Sequence, residues 1–364
     1  MAGLYVHFPF CASKCIYCDF YARVRKDWKP YVEALRREII ERAGEWEGVP
    51  PTTLYFGGGT PSLLPPTRLE QVGEACRQAF GVTLPSCPAP TGHLFDEFTV
   101  EVNPDDVTPA LAAALQEMGV SRVSMGVQSF DDAHLRWMRR RHTAAQAIQA
   151  CATLRRAGCD NLSLDLIFGF EGLSDDGWLH SVEQALALRP EHISCYQMMG
   201  RWADGDEERC RRQYTLLQER LLAAGYEQYE ISNYALPGRA SRHNSAYWTR
   251  EPYLGFGAGA HSFDGDRLRR WNTPDIDAYT TSRPFGSERL TDREVLEEKL
   301  MLGLRTTAGL DLAVLSPAER AQLKKTTLEE LSRAGKLIVE NGRIRIPQEE
   351  LFVSDWIVSR LFPA

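Results

Sequence analysis

The chain has 364 residues, a formal net charge of −7 and 43% apolar residues. That supports a sizeable core, exceeds one average domain and argues against non-specific binding to nucleic acid. No stretch approaches the roughly 18 apolar residues of a membrane span, and no basic run followed by an apolar run marks a secretory signal, so a cytoplasmic protein without an integral membrane segment is expected.

Residues 4–7 read as a first strand, followed by a loop carrying Cys11, Cys15 and Cys18. Residues 31–43 read as a helix, with Val32, Leu35, Ile39 and Ile40 on one face. A short strand over 53–56 runs into Gly57-Gly58-Gly59-Thr60-Pro61, and 68–80 is helical. Residues 84–96 read as a loop rich in Pro and Gly, with Cys87. A strand over 98–102 follows, then a helix over 108–118, opened by Thr108 with Pro109 in its first turn. Strands are predicted over 122–127, 161–168, 192–196 and 228–232, and helices over 132–138, 143–157, 175–188 and 207–224.

This alternation predicts a parallel sheet with crossover helices, nearly closed into a barrel, spanning 1–234. From 235 to 288 the alternation stops, in a connecting segment that holds Arg242-His243-Asn244-Ser245-Ala246-Tyr247-Trp248. Residues 289–364 read as helical, with a hairpin turning at Asn341-Gly342 and a last helix over 349–361, which suits a winged-helix-like domain.

The three cysteines stand at C-x3-C-x2-C spacing. Converging thiolates are soft ligands, the set that an iron–sulfur cluster takes. A [4Fe-4S] cubane on three cysteines keeps one iron open. The alternative is a structural zinc site, within a zinc-stabilised interaction protein. Such sites close with four protein ligands, often in two separated pairs, and here no second C-x2-C exists and His7 is the nearest imidazole. The remaining cysteines show no metal-type spacing and read as reduced, inert thiols.

A reduced cluster with an open iron can bind S-adenosylmethionine (SAM) and break a carbon–sulfur bond homolytically, giving a 5′-deoxyadenosyl radical. The protein must then hold a cationic, polar cofactor in a dry site. Polar residues collect where strands end, the end at which such folds bind ligands. Gly57–Gly59 permits close backbone approach to the cofactor's ammonium. Glu101 suits the same ammonium, Gln128 and Asp165 suit ribose hydroxyls, and Arg140 suits the carboxylate. Arg140 also belongs to a basic run with Arg136, Arg139 and Arg141, which reads equally as a solvated helix end. His243 is a candidate axial ligand for haem, although a histidine among aromatic residues is more often a hydrogen-bonded core residue.

In Tyr5–Phe20, Gly57–Pro61, Glu101–Pro104, Gly126–Phe130, Arg140 with His142, Asp165–Gly169, Arg242–Trp248 and Leu302–Leu312, the chain resembles radical SAM proteins of the oxygen-independent coproporphyrinogen III oxidase group. The resemblance implies a partial (β/α)6 barrel and cluster ligation by Cys11, Cys15 and Cys18. It also implies cofactor contacts at Tyr5, Tyr17, Gly58, Gly59, Thr60, Glu101, Gln128, Arg140, Asp165 and Met199.

The group has two branches. The dehydrogenase converts two propionates of coproporphyrinogen III to vinyls, and typically carries a further cysteine two residues after the third ligand and a longer arm before the motif. Here that position is Phe20, and ten residues precede Cys11. The Cys-Asp-Phe ending, His243–Trp248 and Gly303–Thr307 instead resemble the haem-chaperone (HemW) branch. One departure stands out: after Asp165–Gly169 the group usually has Leu-Pro, and here Phe170-Glu171 follows. The resemblance implies haem as cargo, haem-accepting proteins that include membrane-bound ones, an electron donor, and compatibility with a homodimer.

Overall fold

The computed structural model describes residues 3–25, 27–46, 50–81 and 95–363. Most of the loop expected over 84–96, with Cys87, lies outside the described residues. In chain order the barrel half contains β1 (Gly3–Phe8), α1 (Trp28–Glu41), β2 (Thr53–Gly58), α2 (Pro66–Phe80), β3 (Glu97–Val102), α3 (Pro109–Glu117), β4 (Arg122–Gln128), α4 (Asp132–Trp137), α5 (Ala144–Arg156), β5 (Leu162–Phe168), α6 (Asp175–Ala187), β6 (His192–Gln197) and α7 (Glu207–Ala223). Strands β1 to β6 pair in sequence order, all parallel, with helices returning between them. Side chains from β2 to β6 and from the loop after β1 line one cavity, so the sheet wraps into the partial barrel that the alternation predicts.

Local chemistry sets the helix starts. Thr108 Oγ1 accepts from Leu111 N at 3.1 Å, with Pro109 opening α3. Thr143 and Gln146 form a reciprocal capping box on α5.

Two stretches depart from the sequence reading. The strand predicted over 228–232 is instead an antiparallel pair, β7 (Glu227–Gln228) and β8 (Asn233–Ala235), with β8 paired to β6. The turn between them is held by Glu230, whose Oε1 accepts from Ser232 N at 2.9 Å. The connecting segment 235–288 contributes strands of its own. After β8 come α8 (Arg242–Trp248), β9 (Tyr253–Phe256), β10 (His261–Phe263), β11 (Leu268–Asn272), α9 (Ile276–Thr281) and β12 (Phe285–Arg289). Strand β9 lies parallel to β1, and β10 to β12 follow antiparallel, making one twelve-stranded sheet. Glycines obscure this pattern in the sequence, yet the packing demands them. A Cβ on Gly255 would sit 2.0 Å from the His261 carbonyl oxygen.

The C-terminal unit is α10 (Asp292–Arg305), β13 (Leu310–Asp311), α11 (Pro317–Gln322), α12 (Lys325–Arg333), β14 (Ile338–Glu340), β15 (Arg343–Arg345) and α13 (Ser354–Leu361). Its small sheet runs β13-β15-β14, the winged-helix-like arrangement expected. Asn341 and Gly342 both take positive φ, as a two-residue hairpin turn requires. The unit docks through Arg305, which pairs with the buried Glu230 at 2.6 Å and stacks on Trp248.

Candidate cluster and cofactor site

At the carboxyl ends of the parallel strands lies a cavity of about 880 Å³. Cys11, Cys15 and Cys18 all line it, half-buried and free of disulfides. Cys11 N donates to Arg23 O at 3.0 Å and Cys18 N to Cys15 O at 3.4 Å, which sets the loop's shape. Burial pushes the Cys11 and Cys18 thiols up. A bound metal reverses that by deprotonating its thiol ligands. Among the described residues, no three His, Cys, Asp or Glu side chains gather closely enough to hold a metal ion. Cys11, Cys15 and Cys18 nevertheless present three soft donors from one loop to the same cavity. The donor set therefore fits an iron–sulfur cluster.

Gly58 and Gly59 line the cavity with the cysteines. Gly58 has φ 111°, and a Cβ there would lie 2.5 Å from the His7 ring. A Cβ on Gly59 would lie 2.7 Å from the Phe10 carbonyl oxygen. His7 is itself fixed, with Nε2 donating to Tyr21 O at 2.8 Å and Nδ1 accepting from the Tyr5 hydroxyl at 3.0 Å. Bare backbone here lets the loop pack directly on the His7 ring and the Phe8–Phe10 backbone, which keeps Gly58 and Gly59 in the cavity lining beside the cysteines.

Two half-buried carboxylates face the same space. Glu101 accepts from the Tyr55 hydroxyl at 2.8 Å and from Gly58 N at 3.1 Å. Burial raises its pKa to about 7, and the charge of Asp165 adds to the rise. Asp165 accepts from Ser124 Oγ at 3.3 Å, and burial raises its pKa to about 6, against the pull of Arg122. Carboxylates held this close to neutral suit a cationic ligand that completes their desolvated charge.

Gln128 is turned into the cavity by backbone strain. It has φ 72°, and the pairing of β4 with β5 shifts register between Gly126 and Gln128. His142 Nε2 donates to the carbonyl of Val127, the residue between them, at 3.1 Å. Burial lowers the His142 pKa to about 3, so the ring stays neutral.

A hydrogen-bonded chain links two of the cysteines. Cys11 Sγ lies 3.6 Å from Thr60 Oγ1, Asn103 Nδ2 donates to Thr60 Oγ1 at 3.1 Å, and Arg140 Nη2 donates to Asn103 Oδ1 at 2.6 Å. Arg140 Nη1 then reaches Cys15 Sγ at 3.6 Å. Arg140 Nε is buried without a partner, which leaves a donor for an incoming group. The Tyr17 phenol, pushed up by burial, packs beside this guanidinium.

The family comparisons agree with this geometry. Residues 5–185 match the radical SAM superfamily, and residues 290–353 match the HemN C-terminal domain. The chain is 36% identical to haem chaperone HemW from Synechocystis sp., across 88% of this chain and 82% of that protein. It is 34% identical to haem chaperone HemW from Bacillus subtilis, across 85% of each. The chain belongs to the HemW family of radical SAM proteins. Its fold matches the coproporphyrinogen III oxidase HemN of Escherichia coli, with a TM-score of 0.81 at 20% identity, covering 99% of this chain and 90% of that one.

In this HemW-family chain Tyr17, Gly58, Gly59, Thr60, Glu101, Gln128, Arg140, Asp165 and Met199 all line the cavity with the cysteines. Tyr5 does not line it. Its hydroxyl serves His7, and its ring packs on Tyr55 behind the wall. His243, the candidate haem ligand, is not among the lining residues either. The residue is 2% exposed and sits behind the lining, its ring stacked on Tyr55 at 5.1 Å. Its Nδ1 bonds Thr53 Oγ1 at 2.8 Å and its Nε2 bonds the Tyr247 hydroxyl at 2.9 Å. Both nitrogens are occupied, so in this structure the ring is a packing element. Helix α8 closes the opposite end of the barrel, where Glu97 accepts from Arg242 N at 2.9 Å and His243 N at 3.0 Å.

Asn103 and Arg122 escape the sequence reading. Asn103 lies within a motif stretch, two residues beyond Glu101, so its position carried a signal. Arg122 had none beyond opening a strand. It is 1% exposed, lines the cavity, and leaves Nε and Nη1 without partners.

Among the described residues, no helix is long and apolar enough to cross a membrane.

Proposed function

We propose that this protein is a haem-binding, haem-delivering radical SAM protein of the cytoplasm, without coproporphyrinogen III dehydrogenase activity. The observation that carries the reading is one cavity lined by three free thiols, Gly58 and Gly59, and two half-buried carboxylates, in a chain 36% identical to a haem chaperone. Cys11, Cys15 and Cys18 would hold a [4Fe-4S] cluster. Gly58, Gly59 and Thr60 would admit SAM, Glu101 would take its ammonium, Arg140 its carboxylate, and Asp165 and Gln128 its ribose. The cluster and SAM together supply one-electron chemistry at the sulfonium. The chain's own residues exclude water, fix the cofactor's charged ends and hold Glu101 ionised once the ammonium arrives.

Phe20, at the position where the dehydrogenase branch typically carries a cysteine, favours the carrier reading. Recipients would be haem-requiring proteins, membrane-bound ones included, and an electron donor would reduce the cluster.

The test is a paired assay on anaerobically reconstituted protein. Hemin binding with no protoporphyrinogen IX formed from coproporphyrinogen III, SAM and a low-potential reductant is the expected result. Product formed at the rate of a known dehydrogenase would overturn it. Loss of acid-labile sulfide in Cys11→Ser checks the ligand assignment.

A further inference from the structure

The cavity has two chemistries. Its inner wall is polar, with Glu101, Asp165, Gln128 and Arg122. Its mouth is different. Phe20, Val24 and Met199 line it, yet are 69%, 63% and 73% exposed. Phe20 and Val24 belong to the loop after β1, and Met199 to the turn after β6, so the fold alone brings them to one opening. Exposed apolar side chains gathered at one place mark a binding surface.

The charges there are biased. Lys14, Arg23, Arg139 and Arg141 line the cavity and are exposed. Arg141 is held by Asp105 and Asp106, at 2.7 and 2.9 Å. The other three make no ion pair among the described residues, and Asp19 is the exposed carboxylate that offsets them. Arg139 keeps φ 60°, a left-handed conformation that a non-glycine residue rarely adopts. This cationic rim belongs to a chain of net charge −7.

We propose that the cavity mouth is the docking site for a planar tetrapyrrole bearing two carboxylates, its ring on Phe20, Val24 and Met199 and its carboxylates at Lys14, Arg23 and Arg139. The proposal rests on the haem-carrying reading and adds where the cargo sits. An apolar plate with an anionic edge matches an apolar surface with a cationic edge, and SAM, which is cationic at its sulfonium and ammonium, does not. A ring lying across the mouth would also cover the route to the inner wall. Bound haem therefore slows SAM exchange.

The test titrates anaerobically reconstituted full-length protein with hemin, followed by its absorbance, in wild type, Phe20→Ser/Val24→Ser and Lys14→Glu/Arg23→Glu. All four side chains are exposed, so cluster content and the thermal midpoint serve as fold controls. We expect each double variant to bind hemin at least tenfold more weakly. The charge variant's loss should vanish with hemin dimethyl ester, and hemin should slow SAM exchange in wild type. Wild-type binding that both variants retain would overturn this site and leave the carrier reading standing. No hemin binding by wild type would overturn the carrier reading itself. Variants that change self-association and leave hemin affinity intact would make the mouth an interface between copies, which also overturns the proposal.

Discussion

Asn103 Oδ1 accepts from Arg140 Nη2 at 2.6 Å, while its amide nitrogen donates to Thr60 Oγ1 at 3.1 Å. One amide thus fixes both the guanidinium that reaches Cys15 and the hydroxyl that reaches Cys11. Hydrogen bonds to cluster sulfurs tune reduction potential. Asn103→Ala should loosen both ends together. We expect SAM affinity to fall about tenfold, the equivalent of one hydrogen bond of about 1.4 kcal/mol to a charged group. A shifted cluster potential should accompany it, read by redox titration. Unchanged values of both would show the chain of bonds to be incidental.

Glu101 gives a pH signature. Its pKa is raised from an ordinary 4.5 to about 7 in the protein without ligand. A carboxyl raised in the folded state contributes stability that is complete below pH 4.5 and lost as pH rises through about 7. Buried His7, His142 and His243, lowered to between about 3 and about 4, act in the opposite sense. The difference between wild type and Glu101→Gln isolates the carboxyl. The variant's melting midpoint should gain on wild type as pH rises from 5 to 8. Its SAM affinity at pH 8 should fall between tenfold and about a hundredfold, as for the loss of a charged hydrogen bond. Isothermal titration at several pH values checks the second point.

Gly58→Ala places a methyl group against the His7 ring in a backbone region that alanine avoids. A destabilisation of about 1–3 kcal/mol is expected, with SAM binding weakened because the backbone that donates to Glu101 must shift away from His7. Chemical denaturation and equilibrium binding read the two effects separately.

His243→Phe tests the reassignment of that residue. The change leaves Thr53 and Tyr247 without their ring partner, so stability should fall by about 1–3 kcal/mol. Hemin affinity in the folded fraction should stay within about twofold. A selective loss of hemin binding with normal stability would restore His243 as a ligand.

His142→Leu removes the bond that holds the Val127 carbonyl beside Gln128. About 1–3 kcal/mol of stability should go with the unsatisfied carbonyl, and SAM affinity should drop through a misplaced Gln128. Gln128→Ala should lower affinity without the stability loss, which separates positioning from contact.

Much of this protein was legible in the chain because its signals are local. Thiol spacing is a property of eight consecutive residues, and the strand–helix alternation follows from hydrophobic period. The positions of Gly58, Glu101 and Gln128 at strand ends follow from that alternation, since parallel strands bring their carboxyl ends to one face, while Asp165 faces the same cavity from the middle of β5.

The tertiary structure decided what depends on partners distant in sequence. Glycines demanded by the Gly255–His261 approach hid β9 and its neighbours. Glu230 turned a strand-like run into a hairpin because its buried carboxylate pairs with Arg305 in the C-terminal unit. His243 had the residue type of a haem ligand, and only its contacts with Thr53 and Tyr247 showed both nitrogens to be engaged. The apolar, cationic mouth was invisible for the same reason. Phe20 and Met199 stand far apart in the chain, and composition does not record that folding leaves both uncovered at one opening.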